Sequence, residues 1–208
     1  MDTHPSRPVH SLRDFSYELL IVTAGILIAL SLDGVVAWQH HRNLVKEAQA
    51  NLRTEIQENS AELQRTLAEI QHTQEQLHGI LDLIHQLKKD RSIHVESASL
   101  TWTIAQLHTA SWSTASTTGA MAFMPYAQVK RYSEVYDLQQ QFNVVQDRAF
   151  QSSLQVIGLL PLTFKDPKQV SALQLDESEK TVTLAAANVN AVVQLAAALQ
   201  AEYAKSLQ

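Results

Sequence analysis

From Phe15 to Trp38 the chain runs FSYELLIVTAGILIALSLDGVVAW, 24 residues whose only formal charges are Glu18 and Asp33. At 1.5 Å per residue a helix of that length measures about 36 Å, enough to cross a hydrocarbon layer of about 30 Å with some tilt. Phe15 and Tyr17 stand at one rim and Trp38 at the other, where amphipathic rings anchor a span to its two interfaces. Val35-Val36-Ala37 would suit signal-peptide cleavage. Three features favour an anchor that stays attached: the apolar stretch is long, Glu18 sits where a basic lead should enter it, and the helical pattern continues past Ala37. Residues 1–14 then form a short lead, 15–38 a transmembrane helix and 39–208 a helical domain.

Composition narrows the fold class of that domain. The 208 residues hold five Gly and five Pro, far below ordinary usage, which leaves few turns and favours a small number of long helices. The absence of cysteine removes disulfides, thiolate metal ligands and Cys nucleophiles. Sixteen Lys and Arg against 21 Asp and Glu give a net charge of −5, with the cations scattered, so no nucleic-acid footprint is present.

Residues 39–90 read as one helix with two interleaved sevenfold series, Ile56, Leu63, Ile70, Leu77, Ile84 and Val45, Leu52, Asn59, Thr66, Thr73, Ile80, Leu87. Their alternating steps of three and four are the signature of coiled-coil or helical-hairpin packing, and polar members such as Asn59, Thr66 and Thr73 commonly fix register or partner number. Lys88 to Ser92 reads as a solvated turn. A second helix is expected from Glu96 to Gly119, its small hydroxyl side chains permitting close approach, with Trp102 and Trp112 supplying buried area and Gly119 its end. Pro125 suits the opening of a third helix, 126–160, which carries Val129, Tyr132, Tyr136, Phe142, Val145, Ala149 and Val156 and stops at Pro161. Asp166-Pro167 suits the cap and first turn of a fourth, 167–206, with Val182, Ala185, Val189, Val192, Ala196, Leu199 and Tyr203 as its seam. The predicted fold class is all-α: one amino-terminal transmembrane helix, the only span expected, continuing into an up-and-down bundle of about four long helices.

Few residues invite chemistry. His78 and His85 are seven apart and His72 is six from His78, whereas two ligands on one helix want three or four, so no metal site is read. His108 and Trp112 have stacking distance in sequence. Glu55, Glu58, Glu62 and Arg65 read as a charged outer face. No G-x-S-x-G elbow, S-x-x-K motif or phosphate-cradling glycine loop occurs, and no catalytic residue or cofactor is assigned.

The run from Glu18 to Asp33, followed by Trp38, a basic patch and a helix containing Asn59, resembles a family of bacterial single-span membrane proteins with a carboxy-terminal helical domain of unknown function. The run WSTASTTGA from Trp112 to Ala120, with Tyr132 and Tyr136 after it, is similar to that family's second block, so the resemblance covers most of the chain. It implies a bacterial membrane protein and no established chemistry; where the family's pattern has an amide, this chain has Asp33.

The orientation in a bacterial inner membrane rests on a close balance. Arg7 and Arg13 precede the span and Arg42, Lys46 and Arg53 follow it, a count that leans slightly towards a cytoplasmic bundle. The short lead and the Gln-, Ser- and Thr-rich domain argue for a periplasmic one, which is the expectation adopted. Within the span Gly25, Ala29, Asp33 and Ala37 recur every fourth residue, a face on which small side chains let a second helix approach closely. The expected function is a non-enzymatic membrane-anchored module in contact with lipid that forms a homo-oligomer or joins another membrane protein. An extracytoplasmic small-molecule sensor, with Trp102, Trp112, Thr118 and Tyr136 around a pocket, is the alternative. A third class would use Glu18 and Asp33 in a membrane enzyme or transporter subunit.

Overall fold

The computed structural model describes residues 12–95, 98–164, 166 and 168–207. Among them the protein is all-helical, with α1 (Leu12–Lys89), α2 (Ala110–Thr117), a 3-10 turn (Ala120–Phe123), α3 (Tyr126–Phe164) and α4 (Ala172–Ser206). The chain divides into two compact units, residues 1–47 and 48–208, and α1 contributes to both.

Both sevenfold series of α1 face inward in the second unit. Ile56, Leu63, Ile70, Leu77 and Ile84 are buried, and so are Leu52, Asn59, Thr66, Thr73, Ile80 and Leu87. Tyr132, Tyr136, Phe142, Ala149 and Val156 of α3 meet them, as does the whole expected seam of α4 from Val182 to Tyr203. Hydrogen bonds set the directions. Asn59 meets Gln139 and Glu55 meets Tyr136, so α1 and α3 run parallel. Ser60 meets Gln200 and His85 meets Glu179, so α4 returns antiparallel to α1.

The expected helix from 96 to 119 is not what forms. Its start at Glu96 lies outside the described residues; residues 98–109 are non-helical, with 101–108 advancing along the neighbouring helices at an extended spacing, and only Ala110–Thr117 is helical. This extended strap makes the downward return between two upward helices, so alternation survives with three long helices and one strand-like segment. Length explains how. Thr101 to His108 spans about 23 Å when extended, close to the roughly 25 Å that Asn59 to Gln76 covers as helix. Thr and Trp also favour extended backbone over helix. Gly119, at φ 75°, supplies the left-handed residue that separates α2 from the 3-10 turn.

Two further boundaries move. α3 does not stop at Pro161 but runs to Phe164. Proline removes one helical N–H and crowds the carbonyl of Ile157, costs that are smallest near a helix end. Tertiary contacts hold the last turn: the hydroxyls of Thr163 and Ser178 lie 3.0 Å apart, and Phe164 packs on Leu87, Val170 and Leu175. α4 begins at Ala172 rather than 167, and Pro167 lies outside the described residues. Ser171 is the cap: its hydroxyl accepts from the Gln174 N–H at 3.2 Å while the Gln174 side chain accepts from the Ser171 N–H at 2.8 Å, a reciprocal capping box.

Among the described residues, length and composition admit a second candidate beside the expected span. Two helices are long and apolar enough to cross a membrane: one in Phe15–Lys89, whose window has mean hydropathy 2.4 with none of it buried, and one in Ala172–Ser206, at 1.6 with 33% buried. α4 passes because Thr181 to Ala201 carries no charge, yet its seam lies in the bundle core.

Gly79 is exposed within α1 and a Cβ there would meet nothing within 4 Å. Gly79→Ala is expected to raise stability by about 0.5–1 kcal/mol in denaturant titration, because only backbone entropy is at stake. Leu63→Ala, in the buried seam, is expected to lower it by about 2–5 kcal/mol.

Candidate functional site

The polar residues inside the bundle converge on the backbone of the strap. Asn59 Nδ2 donates to the His108 carbonyl at 2.8 Å, and the His108 N–H donates to Asn59 Oδ1 at 2.7 Å. Gln146 repeats the pattern from α3: its Oε1 accepts from the Ala105 N–H at 2.8 Å and its Nε2 donates to the Ala105 carbonyl at 3.2 Å. A primary amide presents one donor and one acceptor in the geometry of a peptide group, so each pair imitates a strand neighbour. Further along, Thr73 Oγ1 donates to the Thr101 carbonyl at 2.8 Å, and the Thr101 N–H donates to Gln76 Oε1 at 2.9 Å. The partners on α1 fall from 76 to 55 as the strap rises from 101 to 111, which makes the strap antiparallel to α1.

Glu55 corrects the expected outer face, for it is buried at 5% exposure. Its carboxylate accepts from the Tyr136 hydroxyl at 2.6 Å and from the Ser111 N–H at 2.8 Å. Ser111 is the second residue of α2, and Thr109 before that helix makes no side-chain cap bond, so Glu55 caps α2 from across the bundle. An acid is well placed there, facing the positive end of the helix. Next to it Tyr203 donates to Gln139 Oε1 at 2.6 Å while Gln139 Nε2 donates to the His108 carbonyl at 2.9 Å. Burial, and after it the Glu55 carboxylate, push both the Tyr136 and Tyr203 phenols well above their ordinary range.

The four residues expected around a pocket do not meet in one place. Trp112 stacks on Tyr136, ring centroids 5.1 Å apart and planes 19° from parallel, so Tyr136 rather than His108 is its partner. Trp102 lies 6.3 Å from Phe150, fourteen residues further along α3 and so about 21 Å away along its axis. Both tryptophans are half-buried, and Thr118 is exposed with its hydroxyl turned back to the Thr114 carbonyl at 2.8 Å. An open groove of about 590 Å³ does flank the strap, lined by Glu58, Glu62, Arg65, Thr66, Gln106 and His108 among others. There the Arg65 hydrogen bond, ahead of other contacts, holds the Glu62 carboxyl below its usual range. Among the described residues no group of three His, Asp or Glu could hold a metal.

In the first unit Gly25, Ala29, Asp33 and Ala37 are all exposed on α1, as are the large apolar side chains around them. Thr23 and Ser31 return their hydroxyls to the carbonyls of Leu19 and Leu27, at 2.8 and 2.7 Å, which leaves neither hydroxyl donor unmet. Arg13 stands over the Tyr17 ring at 5.8 Å and Arg42 over the Trp38 ring at 5.3 Å, one cation–ring pair at each rim.

Asn59→Leu keeps the branching of the side chain but strips the His108 N–H of its acceptor, while Gln139 still meets the His108 carbonyl. It is expected to cost about 2–4 kcal/mol and to speed amide exchange at Ala105 and His108, with total helix nearly unchanged by circular dichroism. The tyrosines supply a pH test. A phenol whose folded-state value is raised contributes stability that is present below the unfolded value, near pH 10, and is lost as pH rises above it. Unfolding midpoints are therefore expected to fall above about pH 10, with Tyr136 and Tyr203 ionising only as the bundle opens, read by phenolate absorbance.

Set against protein-family models, curated proteins and solved structures, the chain matches none of them.

Proposed function

We propose that the protein is a single-pass, non-enzymatic membrane module whose amino-terminal helix anchors a helical bundle and pairs with a second copy or with a helix of another membrane protein. The observation that carries this reading is the window of mean hydropathy 2.4 in which no residue is buried. Leu20, Ile21, Ile28, Leu30 and Val36 are each more than 60% exposed on all sides of the helix, an arrangement suited to lipid and unsuited to water. The two cation–ring pairs and the back-bonded hydroxyls support the same assignment. The resemblance of the Glu18–Asp33 and Trp112–Ala120 runs to a bacterial single-span family supports a bacterial membrane, and the short lead with the Gln-, Ser- and Thr-rich domain supports a periplasmic bundle.

Pairing is argued from Gly25, Ala29, Asp33 and Ala37. In lipid, helices associate by close packing rather than by escape from water, and a carboxylate within a span turns towards protein or water. The bundle adds a second support: the buried partners of its polar seam come from its own strap, so assembly does not have to complete that core. The sensor alternative is supported by the groove beside the strap rather than by the tryptophans, one of which is stacked on Tyr136.

Gly25→Leu and Ala29→Leu are expected to weaken association in a membrane two-hybrid assay, while Ile26→Leu and Leu30→Ile leave it unchanged. Equal signals from all four variants would make the span a plain anchor and move any assembly to the bundle.

A further inference from the structure

The two ends of the unit 48–208 differ in chemistry. One is marked by Gln49 Nε2 donating to Gln128 Oε1 at 2.7 Å and Arg53 donating to the Leu207 carbonyl at 2.6 Å, so the start of α3 and the end of α4 lie there beside the first residues after Ala48. The other holds Leu87, Val170 and Leu175 with Ile93, Val95 and Phe164. At the first end the 3-10 turn and the opening of α3 expose two aromatic side chains, Phe123 at 49% and Tyr126 at 83%. No acid occupies the first turn of α3. Lys130 and Arg131 follow, both exposed, Lys130 3.4 Å from Glu134. Outward aromatic rings beside cations at a helix start fit the lipid–water interface, where rings settle at headgroup depth and cations meet phosphates.

Chain length selects the same occupant. Nine residues lie between Trp38, at the rim of the span, and Ala48, and even fully extended the ten steps reach about 35 Å at most. The Gln49–Gln128 end is thus tethered within reach of the membrane surface. We propose that this end of the bundle rests on the lipid–water interface, with Phe123 and Tyr126 at headgroup depth and Lys130 and Arg131 facing lipid phosphates. The proposal rests on the membrane-anchor reading above.

The chain has no cysteine, so single cysteines can be spin-labelled cleanly in the full-length protein. Val22→Cys, Ala127→Cys and Leu173→Cys would be labelled in nanodiscs of phosphatidylcholine and phosphatidylglycerol, and the accessibility of each label to oxygen and to a water-soluble nickel chelate compared. The expected result is a hydrocarbon value at 22, an aqueous value at 173 and an interfacial value at 127. Adding Phe123→Ser and Tyr126→Ser should then remove the interfacial value at 127 and leave it like 173. A label at 127 as aqueous as that at 173, with 22 in hydrocarbon, overturns this proposal and leaves the anchor standing. An aqueous value at 22 overturns the anchor and this proposal together.

Discussion

A buried peptide group must find a hydrogen-bond partner, and the bundle depends on how it meets that demand for a segment that is neither helix nor sheet. The strap of residues 98–109 lies against helices, which keep their own backbone bonds and offer an extended neighbour nothing. Side-chain amides take the place of a second strand. Asn59 and Gln146 each present a donor and an acceptor to one peptide, Gln76 and Thr73 hold Thr101, and Glu55 receives Ser111. Each such bond contributes only about 1 kcal/mol net, but leaving its buried partner unmet costs about 1–3 kcal/mol, so the ladder selects one register of strap on helix.

That selection explains why a hydrophobic seam contains polar members. Leucine or isoleucine at positions 59 and 73 would bury more apolar area, yet would leave the His108 N–H and the Thr101 carbonyl without those partners. The same logic continues across the bundle, where Tyr203 reaches Gln139 and Gln139 reaches the carbonyl that Asn59 also holds. Apolar contacts supply the driving force for bringing α1, α3 and α4 together, while the amides decide how the connection between α1 and α3 lies on them.

The first unit meets the same demand differently. A helix bonds its own backbone internally, and Thr23 and Ser31 return their hydroxyls to it, so neither hydroxyl adds an unmet donor to the exposed apolar surface. The charges of this unit gather towards its ends, with Arg13 and Arg42 each lying on an aromatic ring. One chain thus combines a packed core with an exposed apolar helix, its backbone satisfied locally in the helices and by side chains in the strap.

Much of this was legible in the residues themselves. The sevenfold series of α1 and the seam of α4 are periodic, and periodicity alone told which faces are buried, because a helix repeats its geometry every 3.6 residues whatever it packs against. The apolar run from Phe15 to Trp38 was equally plain. The Ser171–Gln174 capping box is a local motif too, and it rather than Asp166-Pro167 opens α4. Glu55 had a signal too, for Ala48, Glu55 and Glu62 form a third sevenfold series beside the seam. What no local pattern could supply is the strap. Residues 98–109 contain enough apolar and hydroxyl side chains for helix or strand, and the choice was made by Asn59, Gln76, Gln139 and Gln146, which lie 25 to 49 residues away in sequence from the peptides they hold. Helices and faces are settled by neighbours within one or two turns, whereas the path of an extended segment is settled by whichever distant groups complete its hydrogen bonds, and only the tertiary structure brings those together.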